Sequence, residues 1–211
     1  MTKILLTRHG HVAGIKPERF RGREPLDLTA RGRAEAATVA QRIATGWRPS
    51  HIYTSPMGRC IETATTIARA CGIAAKTCDD LNDIDYGTWQ FKTLAEAKAL
   101  NPGLFDAWFA NPQLVRFPNG ESLQDLVART ANALRMVLAR HPDETIVLVG
   151  HDSVNRAFLL GFLDQPLSAY WRVAQDPCCL NEIDVLGERI SVQRVNETQH
   201  LDAIATEQDA R

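Results

Sequence analysis

Two arginines and two histidines stand at the ends of short apolar runs in this sequence. Arg8 and His9 directly follow an N-terminal apolar run. Arg59 comes shortly after a second run, and His151 comes soon after a third. Ligands of open α/β sheets bind beyond the carboxyl ends of the strands. We therefore expect these four side chains to meet at one edge of a sheet.

The four side chains are suited to phosphoryl transfer. Planar guanidinium groups match pairs of phosphoryl oxygens, which is the role expected for Arg8 and Arg59. A neutral imidazole is a competent nucleophile toward phosphorus, which suits His9. A protonated His151 would neutralise developing negative charge.

Phosphate ester hydrolysis also needs a carboxyl group. The group must protonate the leaving alkoxide and later deprotonate water, so a raised pKa would suit it. The residues alone leave this choice open between Asp79, Asp80, Asp83, Asp85 and Glu62.

Periodicity predicts alternating strands and helices. The predicted strands are Lys3–Thr7, His51–Thr54, Ala74–Cys78, Thr145–Val149, Leu180–Val185 and Arg189–Val195. The predicted helices run from an N-cap at Thr29 to Gly46, and over Pro56–Cys71, Ser122–Arg140 and Ser153–Leu163. This order predicts an α/β three-layer sandwich with a mostly parallel central sheet and helices on both faces.

The 211 residues fit one main unit. We predict a single domain over residues 1–195, with an irregular helical lid or subdomain at about 79–120 and a polar tail at 196–211. Trp89, Trp108 and Phe109 fall in the irregular section and are expected to form its core rather than a recognition surface.

Composition excludes several classes of partner. The 24 lysines and arginines nearly cancel the 25 aspartates and glutamates, so no global field favours nucleic acid or an acidic membrane. No run is long enough for a signal peptide core or a membrane span, which predicts a cytoplasmic protein. The five cysteines contain no CxxC pair and are expected to be reduced core thiols. A homodimer is left open.

Four ordered motifs resemble the histidine phosphatase superfamily, in its phosphoglycerate-mutase-like branch. They are Leu6–Gly10 (LTRHG), Thr54–Arg59 (TSPMGR), Leu81–Trp89 (LNDIDYGTW) and Val149–His151 (VGH). The resemblance runs from Lys3 to about Val195.

The resemblance implies a role for each matching residue. His9 becomes the phosphorylated histidine, Arg8, Arg59 and His151 become phosphate ligands, and Asp83 becomes the proton donor. The implied activity is metal-independent and cofactor-independent hydrolysis of a small phosphorylated metabolite.

The sequence also departs from the family pattern. The family more often has glutamate at the Asp83 position, so Glu62 stays a reserve candidate for the acid. His11 replaces the usual acidic residue after RHG, and Arg21-Gly22 stands for Gln-Gly. Arg21 and Gly22 are therefore candidate phosphate-binding residues, and Arg21 could also contact an acidic substrate.

Other polar residues are expected to be structural. We predict that His51, His141 and His200 make ordinary hydrogen bonds, and that Arg23 and Arg31 lie on solvated surfaces. Within Phe117–Ser122, which resembles a family stretch before its long helix, Glu121 is expected to support the active-site arginines.

Several rival functions use the same residues. A phosphoglycerate-mutase-type phosphotransferase would return the phosphoryl group to a second hydroxyl, but such enzymes are generally longer. An α/β-hydrolase would use Asp152 as nucleophile. A metal-dependent phosphatase could use His9, His11, His151 and Asp152. A non-catalytic module would bind a phosphorylated ligand without turnover.

Overall fold

A six-stranded sheet lies at the centre of the computed structural model, which describes residues 1–204. Its strands are β1 (Thr2–Arg8), β2 (His51–Thr54), β3 (Ala75–Thr77), β4 (Thr145–Gly150), β5 (Leu180–Leu186) and β6 (Arg189–Glu197). They are ordered β3-β2-β4-β1-β5-β6. The first four of these are mutually parallel, whereas β5 runs antiparallel to β1 and β6 antiparallel to β5. The predicted mostly parallel sheet is confirmed.

Helices cover both faces of the sheet. They are α1 (Ala30–Gly46), α2 (Gly58–Cys71), α3 (Leu94–Leu100), α4 (Pro102–Ala110), α5 (Leu123–Arg140) and α6 (Asp152–Phe162). Short 3₁₀ turns occur at Asp79–Leu81, Gly87–Trp89, Pro112–Leu114, Leu167–Arg172 and Gln199–Leu201.

Alternation along the strands produces two separate cores. Leu5 and Val147 point to the face that packs against α1 and α2. Their strand neighbours Ile4 and Leu148 point to the other face, where α5 and α6 pack. Because successive strand residues face opposite sides, one apolar run supplies both cores. The predicted three-layer sandwich is therefore confirmed.

Local signals place most helix ends where the sequence predicts them. The Thr29 hydroxyl accepts a hydrogen bond from the amide of Gly32 and caps α1. Gly72 ends α2 with a φ of 70°, in the left-handed region that glycine adopts readily. The start of α2 differs from the prediction, since Ser55 Oγ accepts the amide of Met57 in a turn that delays the helix to Gly58.

The irregular section contains the short helices α3 and α4. Trp89 and Trp108 are fully buried and both pack against Phe117 with ring centroids 5.4 and 4.9 Å away. The predicted role of these tryptophans as local core agrees with this packing, whereas Phe109 is 40% exposed.

The first residues of the predicted C-terminal tail, 196–211, are ordered rather than loose. Strand β6 continues to Glu197, and Leu201 packs against the core beneath α1 and α2. Residues 205–211 lie outside the described part of the chain. Within residues 1–204, no helix is long and apolar enough to cross a membrane.

Candidate active site

The carboxyl ends of β1, β2 and β4 converge at one edge of the sheet. Arg8 ends β1 and pairs in register with Gly150, the last residue of β4. Thr54 ends β2 and pairs with Val149. His9, Ser55 and His151, which directly follow these strands, therefore lie at the same level, as the sequence predicts.

His9 has one ring nitrogen fixed and the other available. Its Nδ1 lies 2.7 Å from the carbonyl oxygen of Gly10. Because a carbonyl can only accept, the proton resides on Nδ1 and the lone pair on Nε2. A side chain on Gly10 would lie 2.3 Å from the carbonyl of Gly32, so this tight turn requires glycine. The geometry leaves the lone pair on Nε2 of His9 available for nucleophilic attack.

The charge state of His9 also suits a nucleophile. Burial lowers its pKa well below the ordinary value, and the charges of Arg59, His151 and Arg8 act in the same direction. His9 is therefore neutral at neutral pH, with its lone pair free.

Arg59 is fully buried and organises the centre of the site. Its Nη1 donates to the carbonyl of Glu24 at 2.9 Å, and its Nη2 donates to that of Gly22 at 2.6 Å. The same Nη2 lies 3.0 Å from Asp83 Oδ2 and 3.2 Å from His151 Nδ1. These contacts lock the plane of the guanidinium group.

Three guanidinium nitrogens in the site lack a hydrogen-bond partner within the described chain. They are Nε and Nη2 of Arg8 and Nε of Arg59, all buried. The remaining Nη1 of Arg8 donates to the carbonyl of Gln175 at 2.7 Å. A buried donor left unpaired costs about 1–3 kcal/mol, and more for a charged group. An anion bound beside His9 would satisfy these donors.

His151 contacts both the arginine and the acid. Its Nδ1 lies 3.2 Å from Arg59 Nη2, and its Nε2 lies 2.8 Å from Ser55 Oγ. Its ring centroid lies 5.3 Å from that of His9. Burial and then the charges of Arg59, Arg129 and Arg8 lower the pKa of His151 well below its ordinary value. His151 is therefore neutral before an anion arrives, which differs from the protonated form considered in the sequence interpretation.

Asp83 is the carboxylate that reaches this centre. It is 4% exposed, and its Oδ2 lies 3.0 Å from Arg59 and 3.3 Å from His151 Nδ1. Its Oδ1 accepts from Ser153 Oγ at 2.6 Å and from the amide of Ile84 at 2.9 Å. Burial raises the pKa of Asp83, although the charge of Arg59 acts in the opposite direction. A raised pKa is what a proton donor requires.

The loop that carries Asp83 is held by two further arginines. Arg129 Nη2 and Arg23 Nε donate to the carbonyl of Asp83 at 3.0 and 3.1 Å. Glu121 accepts from both arginines and from the amide of Asp85. Arg23 therefore binds Asp83 and Glu121, and the expectation that it is merely solvated is wrong. The sequence alone does not reveal such long-range partners. Glu121 is a supporting residue, but it supports this loop rather than Arg8 or Arg59.

The other carboxyl candidates lie in different surroundings. Glu62, the reserve acid, forms an exposed ion pair with Arg33 at 2.7 Å. Asp85 accepts from the amide of Gly87 and lies 3.5 Å from Arg23. Among the candidates, the geometry favours Asp83.

Arg21 and Gly22 border the site in different ways. The Nη1 of Arg21 donates to the carbonyl of Gly14 at 2.8 Å, and its Nη2 lies 3.7 Å from Asp152 Oδ2. The carbonyl of Gly22 accepts from Arg59, so Gly22 orients the Arg59 guanidinium group. A side chain at Gly22, whose φ is +44°, would lie 2.5 Å from Oε1 of Gln90.

A pocket beside the site has polar and aromatic walls. Asp152 lies between Arg21 and Arg156, whose Nη1 is 3.5 Å away. Burial would raise the pKa of Asp152, but the charges of Arg8, Arg156 and Arg21 outweigh it and lower the pKa. The aromatic lining includes Tyr86, Trp108 and Trp171.

Two rival site assignments do not fit these contacts. The His11 ring faces Thr29, with Nδ1 3.0 Å from Oγ1, and its amide donates to Glu35. His9, His11, His151 and Asp152 do not form a convergent metal-ligand group within residues 1–204. Asp152 is held in ion pairs rather than presented as a free nucleophile.

Ser153 and Arg156 belong to the site but were not predicted. Helix geometry could have predicted their position. His151 is the N-cap of α6, so the first turns of that helix must border the same edge of the sheet. Arg156 follows Asp152 by four residues, the spacing of an ion pair on one helix face.

The family model for the histidine phosphatase superfamily, branch 1, matches residues 4–198. The chain belongs to this superfamily. Phosphoserine phosphatase 1 of Hydrogenobacter thermophilus is 31% identical to this histidine phosphatase over 95% of each chain. The metal-independent phosphoserine phosphatase of Arabidopsis thaliana is 30% identical over 76% of this chain and 68% of its own. The solved structure of YhfR from Bacillus stearothermophilus has a TM-score of 0.90 and 28% identity, covering 96% of this chain and 100% of that one.

Proposed function

We propose that this protein hydrolyses small phosphate monoesters through a phosphohistidine formed on Nε2 of His9. The observation that carries the proposal is the set of three buried, unpaired guanidinium nitrogens of Arg8 and Arg59 beside that free nitrogen. Relatives that are phosphoserine phosphatases, one of them metal-independent, support the same reaction class.

The reaction has two steps with balanced proton transfers. In the first, the lone pair of His9 Nε2 attacks phosphorus while the ester P–O bond breaks, and protonated Asp83 delivers its proton to the leaving oxygen. In the second, the Asp83 carboxylate takes a proton from water, whose oxygen attacks phosphorus as the P–N bond breaks. Inorganic phosphate leaves, and His9 and Asp83 return to their starting forms.

The arginines and His151 act on the transferred group. The free nitrogens of Arg8 and Arg59 fit its equatorial oxygens, where charge is concentrated in the transition state. The phosphoryl dianion would favour protonation of His151, which then contributes a further positive charge. No step needs a metal ion, because these side chains supply the electrostatic stabilisation.

The adjacent pocket favours a leaving group that carries a carboxylate. Three arginines line the pocket, Arg19, Arg21 and Arg156, and two carboxylates oppose them, Glu18 and Asp152, which leaves one positive charge in excess. We propose that the substrate is a small phosphorylated metabolite with such an acidic group, and phosphoserine is the first to test. The homodimer and the cytoplasmic location stay predictions.

The nucleophile is tested with purified protein and p-nitrophenyl phosphate. We expect turnover that chelators leave unchanged and that vanadate inhibits. We also expect a phosphorylated form of the protein whose phosphoryl bond is labile to acid and stable to alkali. His9→Ala should abolish both turnover and labelling, whereas His51→Gln is the matched control, because His51 begins β2 and lies at the opposite edge of the sheet from the strand ends that carry the site. Full activity in His9→Ala would overturn the proposal.

The substrate class is tested with a panel of phosphorylated metabolites. Phosphoserine and 3-phosphoglycerate should be better substrates than glycerol phosphate, and Arg21→Gln should raise KM for the carboxylated compounds alone. Arg31→Gln is the control, because Arg31 pairs with Glu35 away from the pocket. Interconversion of phosphoglycerates without release of phosphate would favour the mutase reaction instead.

A further inference from the structure

Two histidines and a glutamate meet at the opposite edge of the sheet from His9. His51 is the first residue of β2, His141 caps the C-terminus of α5, and Glu144 directly precedes β4. Strands β2 and β4 are parallel neighbours, with His51 in register with Ile146. The amino end of β2 therefore lies beside the turn that connects α5 to β4.

The potential ligand atoms of this group converge. One atom from each of the three side chains lies within 4.8 Å of the other two. The distance from His51 Nε2 to Glu144 Oε2 is 3.0 Å, and that from His141 Nδ1 to Glu144 Oε1 is 3.6 Å. Ligand atoms of a tetrahedral zinc ion are separated by about 3.4 Å, given bonds of about 2.1 Å. The two imidazole rings stack with their centroids 3.7 Å apart, so the rings must rotate away from each other about their side-chain torsions for all three groups to coordinate one ion.

A buried tyrosine orients one of the imidazoles. The hydroxyl of Tyr53 is 2.8 Å from Nε2 of His141, so the Nδ1 of that ring faces Glu144. Metal-binding histidines usually have such a hydrogen bond on their second nitrogen, which fixes the ring and the tautomer. Tyr53 is only 5% exposed, and its position on β2 is therefore rigid.

The group is open to solvent on one side. The side chains of His51 and Glu144 are 30% and 35% exposed, whereas that of His141 is 9% exposed. An ion can therefore enter from water and keep a water molecule as its fourth ligand. Two imidazole nitrogens and one carboxylate oxygen suit zinc and its first-row neighbours, not magnesium or calcium.

We propose that His51, His141 and Glu144 form a binding site for a divalent transition-metal cation of the zinc class. The site stands apart from the phosphate-binding centre, and the inference does not rest on the proposed phosphatase activity. Occupancy would join the start of β2 to the turn between α5 and β4, and would stabilise the folded chain by mass action.

The site is tested by calorimetric titration of untagged, chelator-treated protein with zinc chloride. We expect one equivalent of zinc to bind. We also expect His51→Ala and Glu144→Gln each to raise the Kd for zinc at least tenfold. Tyr53→Phe should weaken zinc binding about tenfold, because it removes only the outer hydrogen bond. Glu188→Gln, an exposed carboxylate on the turn between β5 and β6, is the control and should bind as the wild type does.

Two further measurements locate the ion. Cobalt(II) should give the visible absorption of a tetrahedral site in the wild type and lose it in His51→Ala. Anomalous scattering from zinc-soaked crystals of the wild type should place the ion between the three side chains, whatever the folding of the variants. Unchanged zinc affinity in both ligand variants, or anomalous density only at His9 and His151, would overturn the proposal.

Discussion

Replacing Asp83 by asparagine separates its role as an acid from its role as an anchor. The carboxylate accepts from Ser153 and Ile84 on one oxygen and from Arg59 on the other. Asparagine can keep the first set with its carbonyl oxygen, but its NH₂ group then faces the Arg59 guanidinium. This mismatch costs about 1–3 kcal/mol, and it affects every substrate alike.

The loss of the proton, in contrast, depends on the leaving group. A serine alkoxide must be protonated as it departs, whereas p-nitrophenolate is stable without a proton. General acid catalysis contributes about 10²–10⁴-fold, equivalent to about 2.7–5.4 kcal/mol. In Asp83→Asn, the ratio of kcat/KM for phosphoserine to that for p-nitrophenyl phosphate should therefore fall by about 10²-fold or more.

Two kinetic readouts complete the test. Asp83 also deprotonates water in the second step, so Asp83→Asn should release a burst of p-nitrophenol close to one equivalent and then turn over slowly. In the wild type, kcat/KM for phosphoserine needs protonated Asp83 and should decrease as pH rises through its elevated pKa. That descending limb should vanish in the variant.

Glu62→Gln provides the control, because Glu62 is the rival acid and pairs with Arg33 on the surface. It should leave both substrates unaffected. Equal losses in kcat/KM for phosphoserine and p-nitrophenyl phosphate in Asp83→Asn would refute the assignment of Asp83 as proton donor.

Two further substitutions test the supports of this site and of the fold. Ser153→Ala removes a hydrogen bond that favours the ionised form of Asp83, so the descending limb of kcat/KM should move to higher pH by about one to two units. An unchanged pH profile would show that Ser153 does not tune the acid. Thr29→Ala removes the cap on the amide of Gly32 and should lower the free energy of unfolding by about 1 kcal/mol, measured by urea denaturation. No change would mean that water replaces the cap.

The strands and helices were predictable because their signals are local. The apolar run before Arg8 and the cap at Thr29 are each contained within a few residues of the element they define. Parallel strands then bring Arg8, His9 and His151 to one edge by topology alone, without knowledge of any side-chain contact. The centre of the site follows from that placement.

The outer parts of the site were not predictable in the same way. Arg129 and Asp83 are 46 residues apart, and Arg23 reaches the same carbonyl from 60 residues away. A charged residue in a loop gives no sign of whether it meets water or a distant carbonyl. The interpretation of Arg23 as solvated is wrong for this reason. The role of Ser153 is not predictable from the sequence either, because it depends on the contact of its hydroxyl with Asp83.

The length of the acidic side chain gives the most demanding test of this reasoning. The family resemblance leads us to expect glutamate at position 83, yet the Asp83 carboxylate already lies within 3.3 Å of both Arg59 and His151. Arg129 and Arg23 hold the backbone carbonyl of Asp83, so the loop itself places the shorter side chain at its target. An added methylene would therefore push the carboxylate past Arg59 and His151 in a buried site. Asp83→Glu should lower kcat/KM for phosphoserine, and it should lower kcat/KM for p-nitrophenyl phosphate by a smaller factor. A gain in phosphoserine turnover would instead show that the loop leaves space for the longer acid.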